Sequence, residues 1–385
     1  MTILKNSPIV IMVSGSYLPD IGGLETHLSD LFRLLSNRGF SVVLVTFQPY
    51  QKRARMRLIE RENRQITIIR LPILLRTILL SGNKWTTIGK LLHQPLICLA
   101  AYACCLTYRD RLIALHAHGI TSTPLVALMC KALKVRTVLS IHYQWEIGRN
   151  HGVFYKMLFR LFNVILTLSA KEHGIVSQIE GLKQVLPFRY WIDLEVFKPT
   201  DPTPFRQREG LSDHFVVLFV GRLIEEKGVR LFTQLAESYS ANRNLIFLMI
   251  GVGPLEKFVI NEASRISNLR YIGPKSNDEM PRWYSASNLL LVPSIVEEGF
   301  GRVIAESLAC GTPVVASNIG GIPEALNTDV GILVDPSFEG FKNAIDYIIN
   351  SPQALQSLRT RCRSYAESTY NESNGNVIVE SYSNS

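Results

Sequence analysis

The sequence lacks the features that hold small secreted proteins or fibrous chains together. Its 385 residues include 25 glycines and 18 prolines, ordinary counts that exclude a collagen-like or linker-dominated chain. The cysteines form no C-x-x-C pair and no regular framework, which indicates buried thiols in a reducing compartment and argues against structural zinc. They are Cys98, Cys104, Cys105, Cys130, Cys310 and Cys362.

Apolar runs long enough to cross a bilayer are also missing. The best run, Pro95–Tyr108, is well short of the roughly 20 residues that a spanning helix needs. The N-terminal segment Thr2–Val13 leads into Ser14-Gly15-Ser16 without a small-residue cleavage site, which is typical of a first core strand rather than a signal peptide. We therefore expect a cytoplasmic protein.

Negative charge is scarce in the first half of the chain. Residues 1–190 contain 24 Lys and Arg against 9 Asp and Glu, whereas residues 191–385 contain 17 against 23. The densest basic run precedes the apolar stretch Leu71–Leu80 and consists of Lys52, Arg53, Arg55, Arg57, Arg61, Arg64 and Arg70. This pattern suits an anionic membrane surface or a phosphate-bearing substrate, and it suits a solvated basic loop equally well. No DNA- or RNA-binding motif accompanies the charge, so nucleic acid is not an expected partner.

Apolar runs alternate with helical periodicity through both halves of the chain. In the first half, the predicted strands are Pro8–Val13, Ser41–Thr46, Leu112–Leu115 and Val135–Ile141. Residues 184–213 hold four prolines and form the best linker candidate. The strands predicted beyond it are Phe215–Val220, Leu245–Ile250, Leu269–Ile272, Leu289–Val292 and Pro313–Ala316. The sequence therefore predicts an α/β fold with two Rossmann-like, doubly wound domains that face each other across a cleft, where open α/β folds bind ligands.

In the segment from Pro293 to Leu326, Glu298 and Glu306 lie on either side of a glycine turn. Glu298 precedes Gly299-Phe300-Gly301, and a predicted amphipathic helix follows that contains Glu306. A glycine turn that opens a helix presents unpaired N–H groups and the positive end of the helix dipole, which together form an anion site. Carboxylates beside such a site can accept hydrogen bonds from the vicinal hydroxyls of a sugar. The alternative is that the dipole merely stabilises both carboxylates.

A basic loop follows the predicted strand Phe215–Val220. It begins with Gly221, ends with Gly228, and contains Arg222 and Lys227, which could converge on one diphosphate. Taken alone, the segment favours a surface loop that carries solvated charges over a diphosphate site.

Together these motifs resemble the retaining glycosyltransferases of family 4, which have the GT-B fold. The resemblance rests on E-x7-E with GFG inside it, the G-R-L-x-x-x-K-G loop, Gly251-x-Gly253-Pro254 and GGIPE at 320–324. It continues with GGLETH at 22–27, HAH at 116–118, SIH at 140–142 and Asp193…Phe197-Lys198-Pro199, and so covers nearly the whole chain. Any one of these pieces is weak, but their occurrence in order is specific.

The resemblance implies a role for each matched position. Arg222 and Lys227 would bind the donor diphosphate, Glu298 the transferred sugar and Glu306 the nucleotide ribose. His142 matches the family histidine that reaches the donor sugar near the reacting carbon, although a satisfied polar residue at a strand end is the alternative. The implied catalytic residues are His142, Arg222, Lys227 and Glu298. The implied donor-binding residues are Gly22, Gly23, Gly253, Phe300, Gly301 and Glu306.

The acceptor side is assigned to the first domain. His118 is expected to line the cleft or order its loop, and the basic residues of the same side are Lys52, Arg53, Arg55 and Arg57. His116 and His118 are two residues apart, as metal ligands on a strand can be. The family works without a metal, and the sequence contains no D-x-D motif, so no metal or other cofactor is expected.

The implied domains are residues 1–193 for the acceptor, 194–365 for the nucleotide-sugar and a tail, 366–385, that crosses back to the first domain. We expect transfer from a UDP- or GDP-sugar, such as GDP-mannose, to a glycan or lipid-linked acceptor. The product would be a bacterial surface glycan such as lipopolysaccharide or exopolysaccharide, made by a peripheral protein at the inner face of the cell membrane. A GT-B nucleotide-sugar epimerase and a non-catalytic scaffold derived from a transferase remain alternatives. A dehydrogenase is disfavoured because Gly251-x-Gly253 lacks the third glycine of the dinucleotide fingerprint.

Overall fold

The chain forms two compact units in the computed structural model. One consists of Met1–Arg189 together with Ser373–Ser385, and the other of Tyr190–Glu372. The structure describes residues 7–20, 22–49, 57–72, 85–119, 133–142 and 153–383. The division between the units thus lies a few residues before the boundary predicted at 193, and the chain rejoins the first unit at Ser373 rather than at 366.

The first unit is built on a sheet in the order β3-β4-β2-β1-β5-β6-β7-β8. Its strands are β1 (Ile9–Ser14), β2 (Ser41–Phe47), β3 (Ile59–Arg61), β4 (Ile66–Leu71), β5 (Leu112–His118), β6 (Arg136–Ile141), β7 (Val164–Thr167) and β8 (Val185–Pro187). Every pairing is parallel except that of the edge strand β3 with β4. The strand order changes direction between β1 and β5, and the carboxyl ends of these two strands flank that switch point.

Helices cover this sheet where the sequence has helical periodicity. They are α1 (Gly23–Asn37), α2 (Trp85–Thr107), α3 (Val153–Phe159) and α4 (Ala170–Ser177). The α2 residues Cys98, Ala101 and Cys105 pack on Ile11 and Val43 of the sheet, because small side chains every three to four residues let the helix approach the strands closely. Among the described residues, no helix combines the length and the apolar character that a membrane span requires.

The cysteines behave as buried thiols, as predicted. Cys98, Cys104, Cys105, Cys310 and Cys362 are free and buried, while Cys130 lies outside the described residues. Burial raises the pKa of the Cys104 thiol to about 11. These side chains therefore act as small apolar core residues.

The basic run predicted between Lys52 and Arg70 is interrupted by two strands, β3 and β4. Arg70 is buried within β4, and its guanidinium binds the Glu60 carboxylate at 2.9 Å and the Leu18 carbonyl. The expectation that Arg70 belongs to an exposed basic segment was therefore wrong. Arg70 is buried, and Glu60 and the Leu18 carbonyl are the partners that a buried charge needs. Arg57, Arg61 and Arg64 are exposed. Lys52, Arg53 and Arg55 lie outside the described residues.

The second unit contains a fully parallel sheet in the order β11-β10-β9-β12-β13-β14. Its strands are β9 (Phe215–Val220), β10 (Leu245–Ile250), β11 (Leu269–Gly273), β12 (Leu289–Val292), β13 (Val314–Ser317) and β14 (Gly331–Val334). Its helices are α5 (Thr203–Arg208), α6 (Val229–Ser238), α7 (Glu256–Arg265), α8 (Met280–Ala286), α9 (Arg302–Ala309), α10 (Phe338–Asn350) and α11 (Pro352–Thr369). Here the strand order changes direction between β9 and β12, so this switch point is the expected ligand edge.

The C-terminal residues complete the first unit. A short helix, α12 (Asn376–Glu380), precedes Tyr382, whose hydroxyl lies 2.7 Å from Nδ1 of His116. Arg136 at the start of β6 donates from Nε to the Ser381 carbonyl at 2.6 Å. The tail is thus bound to β5 and β6 by specific polar contacts, despite its many polar residues.

Candidate functional site

Two loops meet at the carboxyl edge of the second unit's sheet. The loop Gly221–Gly228 follows β9, and the loop Pro293–Gly301 follows β12, its neighbour across the switch point. The Ile295 amide donates to the Glu226 carbonyl at 2.9 Å. Gly228 has a φ of 71°, and a Cβ there would lie 1.8 Å from the Pro293 carbonyl oxygen. Only glycine allows this turn and this approach, so the two loops form one surface.

Two further loops pack against this surface. Gly253, predicted to bind the donor, follows β10, and a Cβ there would lie 2.4 Å from the Leu223 carbonyl oxygen. On the other side, the Gly321 amide after β13 donates to the Glu298 carbonyl at 2.7 Å. A Cβ on Gly321 would lie 2.0 Å from the carbonyl oxygen of Gly299. Glycines therefore allow four loops to assemble at one sheet edge.

Charged side chains project from these loops. Nζ of Lys227 lies 2.5 Å from Oε2 of Glu298, and the Ser294 hydroxyl donates to the other oxygen of that carboxylate. Arg222 is exposed, and within the described part of the chain it makes no ion pair. The surface thus offers an ordered carboxylate with its lysine and, beside them, an accessible guanidinium.

Helix α9 begins at this surface and carries the second glutamate. Gly301 precedes it with a left-handed φ of 76°, which turns the chain so that the first N–H groups of the helix face outward from its amino end. Glu306 is buried one turn further along. Its Oε1 accepts from Nε of Arg302 at 3.0 Å and its Oε2 from the Tyr284 hydroxyl at 2.9 Å.

Arg302 is a site residue that the sequence reasoning missed. It is buried, it binds Glu306 four residues ahead on the same helix, and its Nη1 donates to the Trp191 carbonyl at 3.3 Å. Burial, followed by the Glu306 charge, raises the pKa of Tyr284 well above its ordinary value, so its hydroxyl remains a donor. The spacing R-x-x-x-E was the available signal, since it places both side chains on one helix face.

Aromatic residues support the start of α9 from within the second unit. The ring of Phe300 packs edge-on between Tyr190 and Tyr370, with centroid distances of 5.4 and 5.6 Å. Phe300, Tyr190 and Trp191 are all buried. Tyr190 and Trp191 thus pack in the core of this unit, and because the ring of Phe300 is buried, only its backbone can contribute to a binding surface.

The first unit has a cluster of histidines at the carboxyl ends of β5 and β6. Nδ1 of His118 lies 3.0 Å from Nε2 of His142. His116 is bonded at both ring nitrogens, to the Ser140 and Tyr382 hydroxyls, each at 2.7 Å. All three rings are buried. Because both of its nitrogens already have partners, His116 is poorly suited to bind a metal together with His118.

Burial keeps these imidazoles neutral. Desolvation lowers the pKa of His142 to about 3, and desolvation together with the His142 charge lowers the pKa of His116 to about 3. Desolvation, followed by the charges of His116, His142 and His27, lowers the pKa of His118 well below its ordinary value. In the pair His118–His142, one nitrogen must therefore donate and the other accept, so the tautomer of one ring determines that of the other.

The glycine turn of the first unit lies at the amino end of α1. Gly22 precedes the helix in an extended conformation, and Gly23 is its first residue. The Glu25 carboxylate accepts a hydrogen bond from Ser16, which follows β1. His27, on the same helix, has its ring centroid 5.6 Å from that of His142. Gly22, Gly23, His118 and His142 thus belong to one region of this unit.

Arg57 is not part of that region. It precedes β3, which is four strands from β5 in the sheet, or about 19 Å at the usual strand spacing. The acceptor-side residues predicted from sequence therefore fall in two places, His118 in the histidine cluster and Arg57 at the far edge. In the second unit, by contrast, the structure brings together Arg222, Lys227, Glu298, Gly301 and Glu306.

The chain has two doubly wound sheets. At the switch point of the second sheet, glycines let four loops pack together around Arg222 and Lys227. This combination defines a protein of the GT-B class. A solved structure, Anabaena HepE in complex with UDP-glucose, matches with a TM-score of 0.75 and 18% identity, over 97% of this chain and 98% of that one. The family profile "Glycosyltransferase Family 4" matches residues 21–178, and the profile "Glycosyl transferases group 1" matches residues 202–369. The chain belongs to the family 4 glycosyltransferases and is a transferase.

Two curated relatives show the range of the family. The phosphatidylinositol N-acetylglucosaminyltransferase GPI3 subunit of Saccharomyces cerevisiae is 24% identical over 340 residues, which cover 85% of this chain and 71% of that protein. The D-inositol 3-phosphate glycosyltransferase 1 of Catenulispora acidiphila is 34% identical over 194 residues, 46% of each chain. The predictions of fold, family and transferase activity are confirmed.

Proposed function

We propose that this enzyme transfers a sugar, with retention of configuration, from a UDP- or GDP-sugar to a glycan or lipid-linked acceptor. The observation that carries the proposal is the convergence of Arg222, Lys227 and the amino end of α9 on one sheet edge at the switch point. Rupture of a glycosyl–phosphate bond leaves negative charge on the departing diphosphate. Fixed cations and helix N–H groups stabilise that charge, and they do so without a metal ion.

The pairing of Lys227 with Glu298 suits this role. The salt bridge holds both side chains in place before the donor arrives, and a diphosphate beside Lys227 would share its ammonium with the carboxylate. Glu298 would then accept hydrogen bonds from hydroxyls of the transferred sugar. Arg222 would bind the phosphate oxygens in a bidentate manner.

Glu306 is proposed to bind the ribose of the nucleotide. Arg302 and Tyr284 fix the orientation of its carboxylate, and a carboxylate oxygen can accept more than one hydrogen bond. Pre-orientation lowers the entropy that binding would otherwise cost. The guanidinium of Arg302 also favours the charged carboxylate, which strengthens each hydrogen bond that Glu306 accepts.

His142 is proposed to contact the donor sugar as a neutral imidazole. A neutral ring does not oppose the positive charge that develops on the sugar in the transition state. The acceptor would attack from the face that the diphosphate leaves, and the departing phosphate would take the acceptor proton. No protein nucleophile takes part in this route.

The acceptor is proposed to lie at an anionic membrane surface. On the edge strand β3 and just before it, Ile59 and Leu58 are 60% and 62% exposed, next to the exposed Arg57 and Arg61. Exposed apolar residues among cations are typical of proteins that bind the inner leaflet. Phosphatidylinositol, which the yeast relative's name contains, is an anionic membrane lipid. A lipid-linked precursor of a surface glycan, such as lipopolysaccharide or exopolysaccharide, fits the same chemistry.

The proposal is tested by product formation from a panel of UDP- and GDP-sugars, with membrane lipid extracts as acceptors. Arg222→Ala and Lys227→Ala are each expected to lower kcat/KM about a hundredfold or more, because each removes a charge that stabilises the leaving group. Arg230→Ala is the matched control: this arginine is also exposed and close in sequence, but it pairs with Glu225 at the surface.

The outcomes separate the competing functions. Near-normal transfer by both variants would refute the diphosphate role of this edge. Release of free epimerised sugar without any acceptor would favour an epimerase. Failure of the parent enzyme even to hydrolyse a donor that it binds would favour a scaffold.

A further inference from the structure

Four basic residues surround a cavity at the amino edge of the first unit's sheet. Arg109 precedes β5, Lys134 lies two residues before β6, Arg136 begins β6, and Lys183 precedes β8. Because β5 to β8 are parallel neighbours, residues that precede them meet at one edge. The cavity has a volume of about 590 Å³. Leu112 of its lining and His118 lie at opposite ends of β5, about 20 Å apart. Tyr382, which also lines the cavity, reaches Nδ1 of His116.

Three of the four basic side chains at this cavity have no acidic partner among the described residues. In the part of the chain that the structure describes, Arg109, Lys134 and Lys183 make no ion pair with an acidic side chain. Arg136 is held in place by the Ser381 carbonyl at 2.6 Å and by the Gln184 side chain at 3.3 Å. Like charges that line one concave surface repel each other and concentrate anions from solution.

Lys134 has a strained backbone conformation. Its φ of 57° makes it the one described non-glycine residue in the left-handed region. This region suits glycine and is disfavoured for a residue with a Cβ. Strained positions of this kind occur at binding sites more often than elsewhere, and this one lies in the turn that brings Lys134 to the cavity.

The rest of the lining is partly apolar. Apolar side chains line part of the cavity, namely those of Leu133, Val135 and Leu161, and Tyr382 lines it as well. We propose that the cavity binds a molecule that carries a phosphate or diphosphate next to an apolar portion. The site is distinct from the donor edge in the second unit and does not depend on the proposed function. Since Tyr382 and Ser381 belong to the C-terminal tail, occupancy would also stabilise the tail on the first unit.

The experiment uses the full chain with Arg222→Ala, which removes the other candidate diphosphate site. Inorganic pyrophosphate is titrated by calorimetry into this protein and into the same protein with Lys134→Gly and Lys183→Ala added. We expect pyrophosphate binding to weaken at least tenfold, because two charge-assisted contacts are lost. The protein with both cavity substitutions is expected to keep its melting temperature, since glycine at position 134 relieves the left-handed φ. A loss of affinity at an unchanged melting temperature cannot come from unfolding.

The control and the second arm complete the test. Lys156→Ala removes an exposed lysine of α3 that does not line the cavity, and it is expected to leave the affinity unchanged. Equal affinity with and without the two cavity substitutions, or no binding by the unsubstituted cavity, would overturn the proposal. Phosphatidylcholine vesicles with about one third phosphatidic acid then compete for the site. Displacement of pyrophosphate assigns the cavity to a lipid headgroup, and no displacement assigns it to a soluble phosphate, with the site retained in both cases.

Discussion

At the scale of single residues, the chemistry of the first unit depends on the state of one buried imidazole. His142 can present a defined nitrogen to a substrate only if its other nitrogen has a fixed partner, and His118 is that partner at 3.0 Å. Burial keeps both rings neutral, so the two rings can differ only in which of their nitrogens carries the proton. His118 is therefore a positioning residue, which acts through His142.

Replacement of His118 separates positioning from packing. His118→Ala is expected to lower kcat about tenfold to a hundredfold, because a small misplacement of a reacting group has a cost of that order, with little change in the donor KM. His118→Asn keeps an amide near the position of Nδ1 and is expected to recover part of the rate. Steady-state kinetics with the best donor measures both variants. Equal losses of rate in the two variants would show that His118 does not orient His142.

At the scale of elements, glycines determine how close the loops of the second unit can approach. Gly228 and Gly273 both have left-handed φ values, 71° and 80°, but only Gly228 has a neighbouring backbone where a Cβ would be. A comparison of substitutions at the two positions therefore distinguishes the effect of backbone strain from the effect of loop packing. Gly228 joins the loop of Lys227 to the loop of Glu298.

The matched pair Gly228→Ala and Gly273→Ala measures that difference. Each is expected to lose about 1 kcal/mol of unfolding free energy to left-handed strain. Gly228→Ala is expected to lose about 1–3 kcal/mol more from overpacking and to weaken UDP binding, whereas Gly273→Ala leaves UDP binding unchanged. Denaturant titration and UDP calorimetry give both quantities. If the two variants behaved alike, the approach of the loops would not matter for the site.

The elements also show what a sequence can predict. Strands such as Phe215–Val220 and Leu245–Ile250 were found because a strand buried on both faces is a continuous apolar run. The strand Ile66–Leu71 was missed because Arg70 interrupts its apolar pattern, and its partner Glu60 comes from β3, a contact that only the fold creates. Similarly, the motif found Glu306, and the R-x-x-x-E spacing within α9 was the signal for Arg302. The contact of Tyr284 with Glu306 depends on the packing of α8 against α9, which the sequence does not show.

At the scale of the whole molecule, the two units differ in their buried titratable groups. The first unit encloses the imidazoles of His116, His118 and His142, with pKa values far below the ordinary 6.5. The second unit has no comparable cluster among its described residues. We therefore expect the units to respond differently to acid, although their sheets are built alike.

The sign of this response follows from proton uptake. Above about pH 6.5 the histidines are neutral in both the folded and the unfolded chain, and their burial adds no pH dependence. Below that pH the unfolded chain binds protons that the folded unit does not bind until about pH 3. Each histidine then lowers the unfolding free energy of the first unit by about 1.4 kcal/mol per pH unit.

Hydrogen exchange read by mass spectrometry checks this within one sample. From pH 7 to pH 5, amides of β5 and β6 are expected to lose protection, after correction for the intrinsic exchange rate, by a larger factor than amides of β9 and β12. The second unit serves as the internal control, because protonation of carboxylates affects both units. His116→Gln keeps a hydrogen-bonding side chain but removes one titrating group, so it is expected to reduce the pH slope of the first unit alone. The same slope in both units would mean that acid acts through carboxylates and that the buried histidines are not the cause.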